Sequence, residues 1–275
     1  FFPIFLISNN LHNIFLFLLI LFFHFLLYPI FHLLERSYFQ LSSKFYKKIN
    51  NGMKPSTSQP SVGKILEVYE NLKAQGFERI VVFTVTSKLS GTYSSFTQAS
   101  ELIEGIDIKI IDTLQVARIV GCAVEKIIKD FSNGNLAYEN IEDECRKLLK
   151  QQNILVTIEN MDFLYAGGRL TKTQFLLSSF LNILPIITIK DGILDVSGKH
   201  RGMSKVLTKI CEEIKEKDPK SLIILYTTDD LLKKAQDVVA KTFGNIETEA
   251  VIISPVIGTH AGPRAVGIGY LEYEK

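Results

Sequence analysis

Phe1 to Leu34 contains no Asp, Glu, Lys or Arg, and the same stretch lacks Ala, Val and Gly. Without charge, Leu11 to Leu34 is long and apolar enough to span a bilayer as a helix. Arg36, Lys44, Lys47 and Lys48 would then set everything after it on the cytoplasmic side by the positive-inside rule. The missing small residues point elsewhere. Ala and Gly help membrane helices pack, and Ala, Val, Gly, Asp and Glu are the residues whose codons all begin with guanine. Residues 1–36 therefore also read as AT-rich DNA translated out of frame. A cleaved signal peptide fits less well, because a basic n-region and a small-residue cleavage site are missing. Two readings of this segment stand: an artefact of frame, or a membrane anchor.

Other absences narrow the function. Cys122, Cys145 and Cys211 are odd in number and far apart, which fits the reduced thiols of a cytoplasmic protein. They show no metal-ligand spacing, and His200 and His260 stand apart from them and from each other, so no metal site is expected. A net charge of +2 leaves no basic field for nucleic acid. The phosphate loop ending in Gly-Lys-Ser or Gly-Lys-Thr is absent, and so is the nucleophile elbow of the hydrolases. What remains is a chain of 275 residues, long enough for two domains with their own cores.

From about Ser37 helical and strand patterns alternate. Val62 to Gln75 reads as a helix stopped by Gly76, followed by strand Arg79 to Val85, a helix to about Glu104 and strand Asp107 to Ile111. Helices Val116 to Asp130 and Tyr138 to Gln151 and strand Ile154 to Ile158 complete a parallel α/β unit over residues 37–166. Gly167, Gly168 and Arg169 form a joint, and Thr171 to Asn182 reads as a helix opening a second unit, 167–275. There Leu184 to Lys190 and Ile193 to Gly198 flank Asp191-Gly192, a strong hairpin signal. Helices Ser204 to Glu216 and Asp230 to Phe243 then alternate with strands Ser221 to Tyr226, Thr248 to Ile253 and Ala265 to Tyr273. The fold class is α/β in two domains, the second α+β with a mixed or antiparallel sheet.

Three polar loops carry the chemistry: Ser56 to Ser61, Ser87 to Ser95, and Ser254 to Arg264. In the second, a β-branched strand stops at Ser90, Gly91, Thr92, Ser94 and Ser95, at the start of a helix. Unpaired helix amides with hydroxyl donors beside them suit a small anion such as a carboxylate or phosphate, although ordinary capping uses the same residues. Hydroxyls recognise an anion without a charge that must itself be desolvated. His260 is the imidazole of the glycine-rich third loop, and a structural turn histidine is the competing reading. A Ser-His acyl-ester hydrolase built from Ser90 and His260 lacks a clear third member to orient the base. Arg169 and Arg201 read as exposed cations, solvated by default but suited to meeting phosphate.

These loops together resemble the DegV family. The matching pieces are TSQPS at Thr57, LSGTY at Leu89 to Tyr93, GGRLTKTQ at Gly167 to Gln174, LNILPIITIKDG at Leu181 to Gly192, and GTHAGPRAVGIGY ending at Tyr270. The resemblance implies a non-catalytic protein that binds one long-chain fatty acid and presents its carboxylate to a fatty-acid kinase, with no cofactor of its own. It implies that Thr57 or Ser58, Ser90 with the Gly91 amide, and His260 hold the carboxylate, and that Arg169 and Arg201 face the kinase or the incoming phosphoryl group. One departure stands out. The family's first strand and its Thr-Asp-Ser loop are replaced here by the charge-free segment, so the sheet is expected to lack a strand. A membrane-anchored lipid or anion receptor domain is the reading if that segment is a true anchor.

Overall fold

The computed structural model describes residues 14–18, 40–170 and 183–274. The first elements among the described residues are strand β1 (Ile14–Leu18) and helix α1 (40–50). It continues through α2 (Val62–Ala74), β2 (Arg79–Thr84), α3 (Thr92–Ser100), β3 (Asp107–Asp112), α4 (Arg118–Ser132) and α5 (Ile141–Lys150). Strand β4 (Gln152–Ile158) and the short helix α6 (Asp162–Ala166) precede the hairpin of β5 (Ile183–Lys190) and β6 (Ile193–Arg201). Then follow α7 (Met203–Lys215), β7 (Ser221–Tyr226), α8 (Asp229–Phe243), β8 (Glu247–Ile252), α9 (Pro255–Ala261) and β9 (Ala265–Leu271).

The first sheet is parallel, in the order β1-β2-β3. Its middle strand reads RIVVFT because both faces are covered, the pattern of a parallel strand buried on two sides. Ile80 and Val82 pack under α2 and α3 with Ile65, Leu72, Phe96 and Ala99. Val81 and Phe83 turn the other way, onto α4 and α5 with Val120, Val124, Ile127, Ile141 and Leu148. Ile14–Leu18 lies in parallel register beside Arg79–Phe83. This corrects the expectation of a missing first strand: a strand buried in a parallel sheet needs a short apolar run and no other signature, and the charge-free segment supplies one. It also corrects the single helix expected over Leu11 to Leu34, since these five residues make their hydrogen bonds in a sheet. No helix among the described residues is long and apolar enough to cross a membrane. The helix expected over Thr171 to Asn182 lies outside the described residues.

The second sheet has the order β6-β5-β4-β9-β7-β8, antiparallel except for the β7–β8 pair. On one face α7 and α8 bring Val206, Leu207, Ile210, Leu231 and Ala235 against Leu222, Ile224, Val266 and Ile268. The other face, with Ile154, Ile223 and Leu225, meets Tyr46 and Ile49 of α1, Ile119 of α4, Leu164 of α6 and Ala261 of α9. Sequence pattern assigns β4 to the first sheet, and the structure moves it to the second. Seven residue pairs with β9 hold it there, a partner more than a hundred residues away that local periodicity cannot reveal.

Asp191 and Gly192 make the expected two-residue turn, both at positive φ (51° and 83°), the twist a tight hairpin requires. The hairpin tip reaches the first sheet. Thr86, just after β2, donates its hydroxyl to the Gly192 carbonyl at 2.8 Å, and the Gly192 Cα lies so close to the Thr86 and Leu114 side chains that a Cβ has no room.

Candidate functional site

A 2.8 Å hydrogen bond joins Thr57 Oγ1 and His260 Nε2, 203 residues apart in sequence. His260 sits in the last turn of α9, which corrects the expectation of a glycine-rich loop there. The local signals for this helix are in the sequence. Ser254 caps it, accepting from the Ile257 amide at 3.4 Å, Pro255 occupies the first helical position, and Gly262 ends it at φ 76°. Tyr46 of α1 steadies the same helix by donating to the Ile253 carbonyl at 2.7 Å and by packing its ring on Gly258.

Beneath the imidazole lies Gly167. A side chain there would run into His260 Nδ1, so glycine is needed for close approach and not for an unusual φ, which is −75°. Gly168 then takes φ 71° and turns the chain so that Arg169 folds back, donating from Nε to the Leu89 carbonyl at 3.0 Å and from Nη1 to the Gly167 carbonyl. The guanidinium thus ties the glycine joint to the loop that bears Ser90. Burial lowers the pKa of His260, and the positive charge of Arg169 lowers it further. The ring is therefore neutral at pH 7, with Nδ1 buried and without a hydrogen-bond partner among the described residues.

Ser90 and Thr92 share a hydrogen bond between their hydroxyls at 2.8 Å, and Ser90 Oγ also accepts from the Thr92 amide at 3.3 Å. The helix they open begins at Thr92, with Gly91 at its N-cap and no side-chain cap there. Gln59 lies over Gly91, in the space a Cβ would fill. The 57–59 loop therefore touches the site twice, through Thr57 at the histidine and through Gln59 at the serine loop. Thr57, Ser90, Gly91, Arg169 and His260 are gathered by these contacts. Ser58 is exposed beside them. Arg201 is not gathered. It is exposed at the last position of β6, paired with Ile183, and separated from the Gly192 turn by about 25 Å of strand at roughly 3.3 Å per residue.

Sequence reading missed Gln59, Thr92 as Ser90's partner, and Gly167 as the floor under His260. Gln59 and Thr92 lie inside motifs already singled out, but their roles depend on loops meeting in space. No cluster of three or more His, Cys, Asp or Glu side chains suited to a metal occurs among the described residues. The serine hydrolase reading gains no support. Ser90 bonds to Thr92, His260 bonds to Thr57, and no side chain among the described residues orients Nδ1 as a triad would.

Just beyond α9, Arg264 grips Glu159 with two hydrogen bonds (3.0 and 3.1 Å) and Asp230 with one at 2.8 Å, pinning the end of β4 and the start of α8 to the loop behind His260. Hydrogen bonds from Arg264, then Thr228, hold the Asp230 carboxyl at about 2, below its ordinary 3.8. A depressed carboxylate adds stability that is complete above its unfolded pKa. That contribution is lost as pH falls from about 3.8 through about 2. Asp230→Asn removes this part of the acid limb, so its stability relative to the parent is lowest at pH 5 and converges with it near pH 2, as chemical denaturation across that range would show.

The combination of a neutral imidazole and hydroxyls brought together from three segments is suited to a small carboxylate. A family model described as Uncharacterised protein, DegV family, matches residues 35–273. The chain belongs to the DegV family. A DegV domain-containing protein of Halalkalibacterium halodurans is 30% identical over 239 residues, 83% of each chain. A Thermotoga maritima protein whose structure is described as revealing fatty acid binding function aligns at 26% identity with a TM-score of 0.72, over 84% of this chain and 83% of that one. A Thermus thermophilus DegV family protein described by its fatty acid binding aligns at 25% identity with a TM-score of 0.73, over 84% of each. The mixed α/β architecture, one small parallel sheet and one larger mixed sheet, is thus that of its DegV relatives.

Proposed function

We propose that this chain binds a long-chain fatty acid and presents its carboxylate, without catalysing a reaction itself, to a fatty-acid kinase that supplies ATP and metal. The observation that carries the reading is the Thr57–His260 pair. A neutral imidazole donating from Nε2 leaves the Thr57 hydroxyl free to give its own proton to an anion, and Ser90 with the Gly91 amide offers donors on the facing loop. Hydroxyl and amide recognition suits a ligand that is an acid at one end and hydrocarbon at the other, because few fixed charges have to be desolvated where the chain enters the protein. The fatty acid binding described for the Thermotoga and Thermus relatives supports the same ligand class.

In this reading the parallel-sheet unit and the mixed-sheet unit act as two domains with the carboxylate between them. Arg169, beside the site, meets the phosphoryl group, and exposed Arg201 belongs to the surface the kinase touches. Three buried free thiols fit a cytoplasmic protein. No cofactor is required. The test is direct: an organic extract of purified protein contains a fatty acid by mass spectrometry, and a Thr57→Val, His260→Ala double variant of unchanged melting temperature yields at least tenfold less. Folded parent protein without lipid would refute the proposal.

A further inference from the structure

Thr92 is buried at the first position of α3, and its hydroxyl meets one polar partner among the described residues, Ser90 Oγ at 2.8 Å. Its proton has one place to go. A hydroxyl donates once and accepts twice, and a buried donor left unmade is costly, so Thr92 is the donor of this pair. Ser90 Oγ accepts a second time, from the Thr92 amide at 3.3 Å. Both of its lone pairs are then engaged.

Ser90 can then act in one direction. With its acceptor positions filled by a single neighbour, it keeps only its own proton for a further partner, and no other described residue takes that proton. In the opposite sense, with Ser90 donating to Thr92, the buried Thr92 proton would have no acceptor. Thr57 stands in a similar position. His260 Nδ1 is buried with no partner among the described residues, so the neutral ring carries its proton on Nε2 and donates to Thr57 Oγ1, whose own proton stays available. Each hydroxyl of the candidate site has a donor behind it and is left with one proton to give.

We propose that Thr92 is a positioning residue that fixes Ser90 as a one-way donor, and so makes the site select an ionised carboxylate over uncharged headgroups on the same hydrocarbon chain. The inference rests on the fatty-acid reading of the Thr57–His260 site. A carboxylate is an acceptor at both oxygens, whereas a primary amide turns its NH2 group toward one of the two donors, where no bond can form. Hydrogen bonds to an ionised acceptor are about twice as strong as neutral ones, and a donor behind the serine polarises its O–H further. Thr92 acts through Ser90 and needs no contact with the ligand.

The experiment measures binding of stearate and octadecanamide, at about pH 8 where the acid is ionised, to lipid-free full-length protein and to its Thr92→Val, Thr92→Ser and Ser90→Ala variants. The parent prefers stearate by about tenfold or more. Thr92→Val keeps the shape and removes the hydroxyl, so stearate weakens about tenfold while the amide stays within about twofold, and the preference collapses. Thr92→Ser restores it. In a Ser90→Ala background Thr92→Val has no further effect on stearate, since the two hydroxyls act as one unit. Equal affinity of the parent for both ligands overturns the proposal without any variant. A Thr92→Val protein that loses both ligands in proportion, or neither, overturns it as well, and all these results leave the fatty-acid reading intact. Failure of stearate to bind the parent overturns both.

Discussion

Gly267→Ala lowers the stability of this protein by about 3 kcal/mol, the upper end of what overpacking costs, and a large share of the roughly 5–15 kcal/mol that holds a typical native fold. Gly267 lies on β9, hydrogen-bonded to β4 on one side and β7 on the other, so the strand has no free edge toward which to shift. A Cβ there would come within 2.6 Å of Val156 Cγ2 and 2.9 Å of the Leu155 carbonyl oxygen. The side chain can rotate away, but the carbonyl is part of the neighbouring strand. Relief therefore requires β4 and β9 to separate where seven residue pairs join them. Gly269 provides the control. Its nearest obstacles are side-chain methyls of Ile154 and Ile119 at 3.2 and 3.4 Å, so Gly269→Ala costs less than half as much. Urea unfolding of the two variants measures the difference, and a Gly267→Ala protein within 0.5 kcal/mol of its parent would disprove the argument.

The second large effect falls on binding. Gly167→Ala places a methyl group against His260 Nδ1, while φ −75° and ψ −7° are comfortable for alanine. The backbone keeps its course, the imidazole is displaced and the Thr57–His260 hydrogen bond breaks. Retained lipid falls about thirtyfold, corresponding to roughly 2 kcal/mol for a buried donor pair left unmade. The melting temperature moves by only a few degrees. Gly168→Ala does the opposite. Its Cβ meets nothing, but φ 71° strains any L side chain, so stability drops by about 1 kcal/mol while lipid is kept. Equal lipid in the Gly167→Ala and parent proteins would remove His260 from the site.

The central strands, the long helices and the Asp191-Gly192 turn were legible because each is set by local periodicity or by a dihedral that few residues accept. The sheet that claims β4 was not, because the decision belongs to β9. The strand at Ile14–Leu18 was hidden for a different reason: an unbroken apolar tract has no period, so hydropathy cannot distinguish a sheet segment from a membrane helix within it. At the candidate site, Thr57, Ser90 and His260 could be singled out by residue type. The glycine under the imidazole and the glutamine over Gly91 could not, since each is defined by what a neighbour does in space. Arg201 shows the reverse case, a residue of the right type that the fold leaves at the far end of a hairpin.

That hairpin also has a mechanical consequence. Its tip is fastened to Thr86, and the Ser90 amide donates to the Thr86 carbonyl at 3.2 Å, so the arm ends on the turn that holds the candidate anion donors. Strand β6 is the outer edge of its sheet, with Arg201 at the end remote from the tip. Arg201 and Ser90 thus stand at the two ends of one continuous run of hydrogen bonds, so a load placed on the outer end of the hairpin is carried to the turn beside Ser90 through the β5–β6 ladder and the Thr86 hydroxyl.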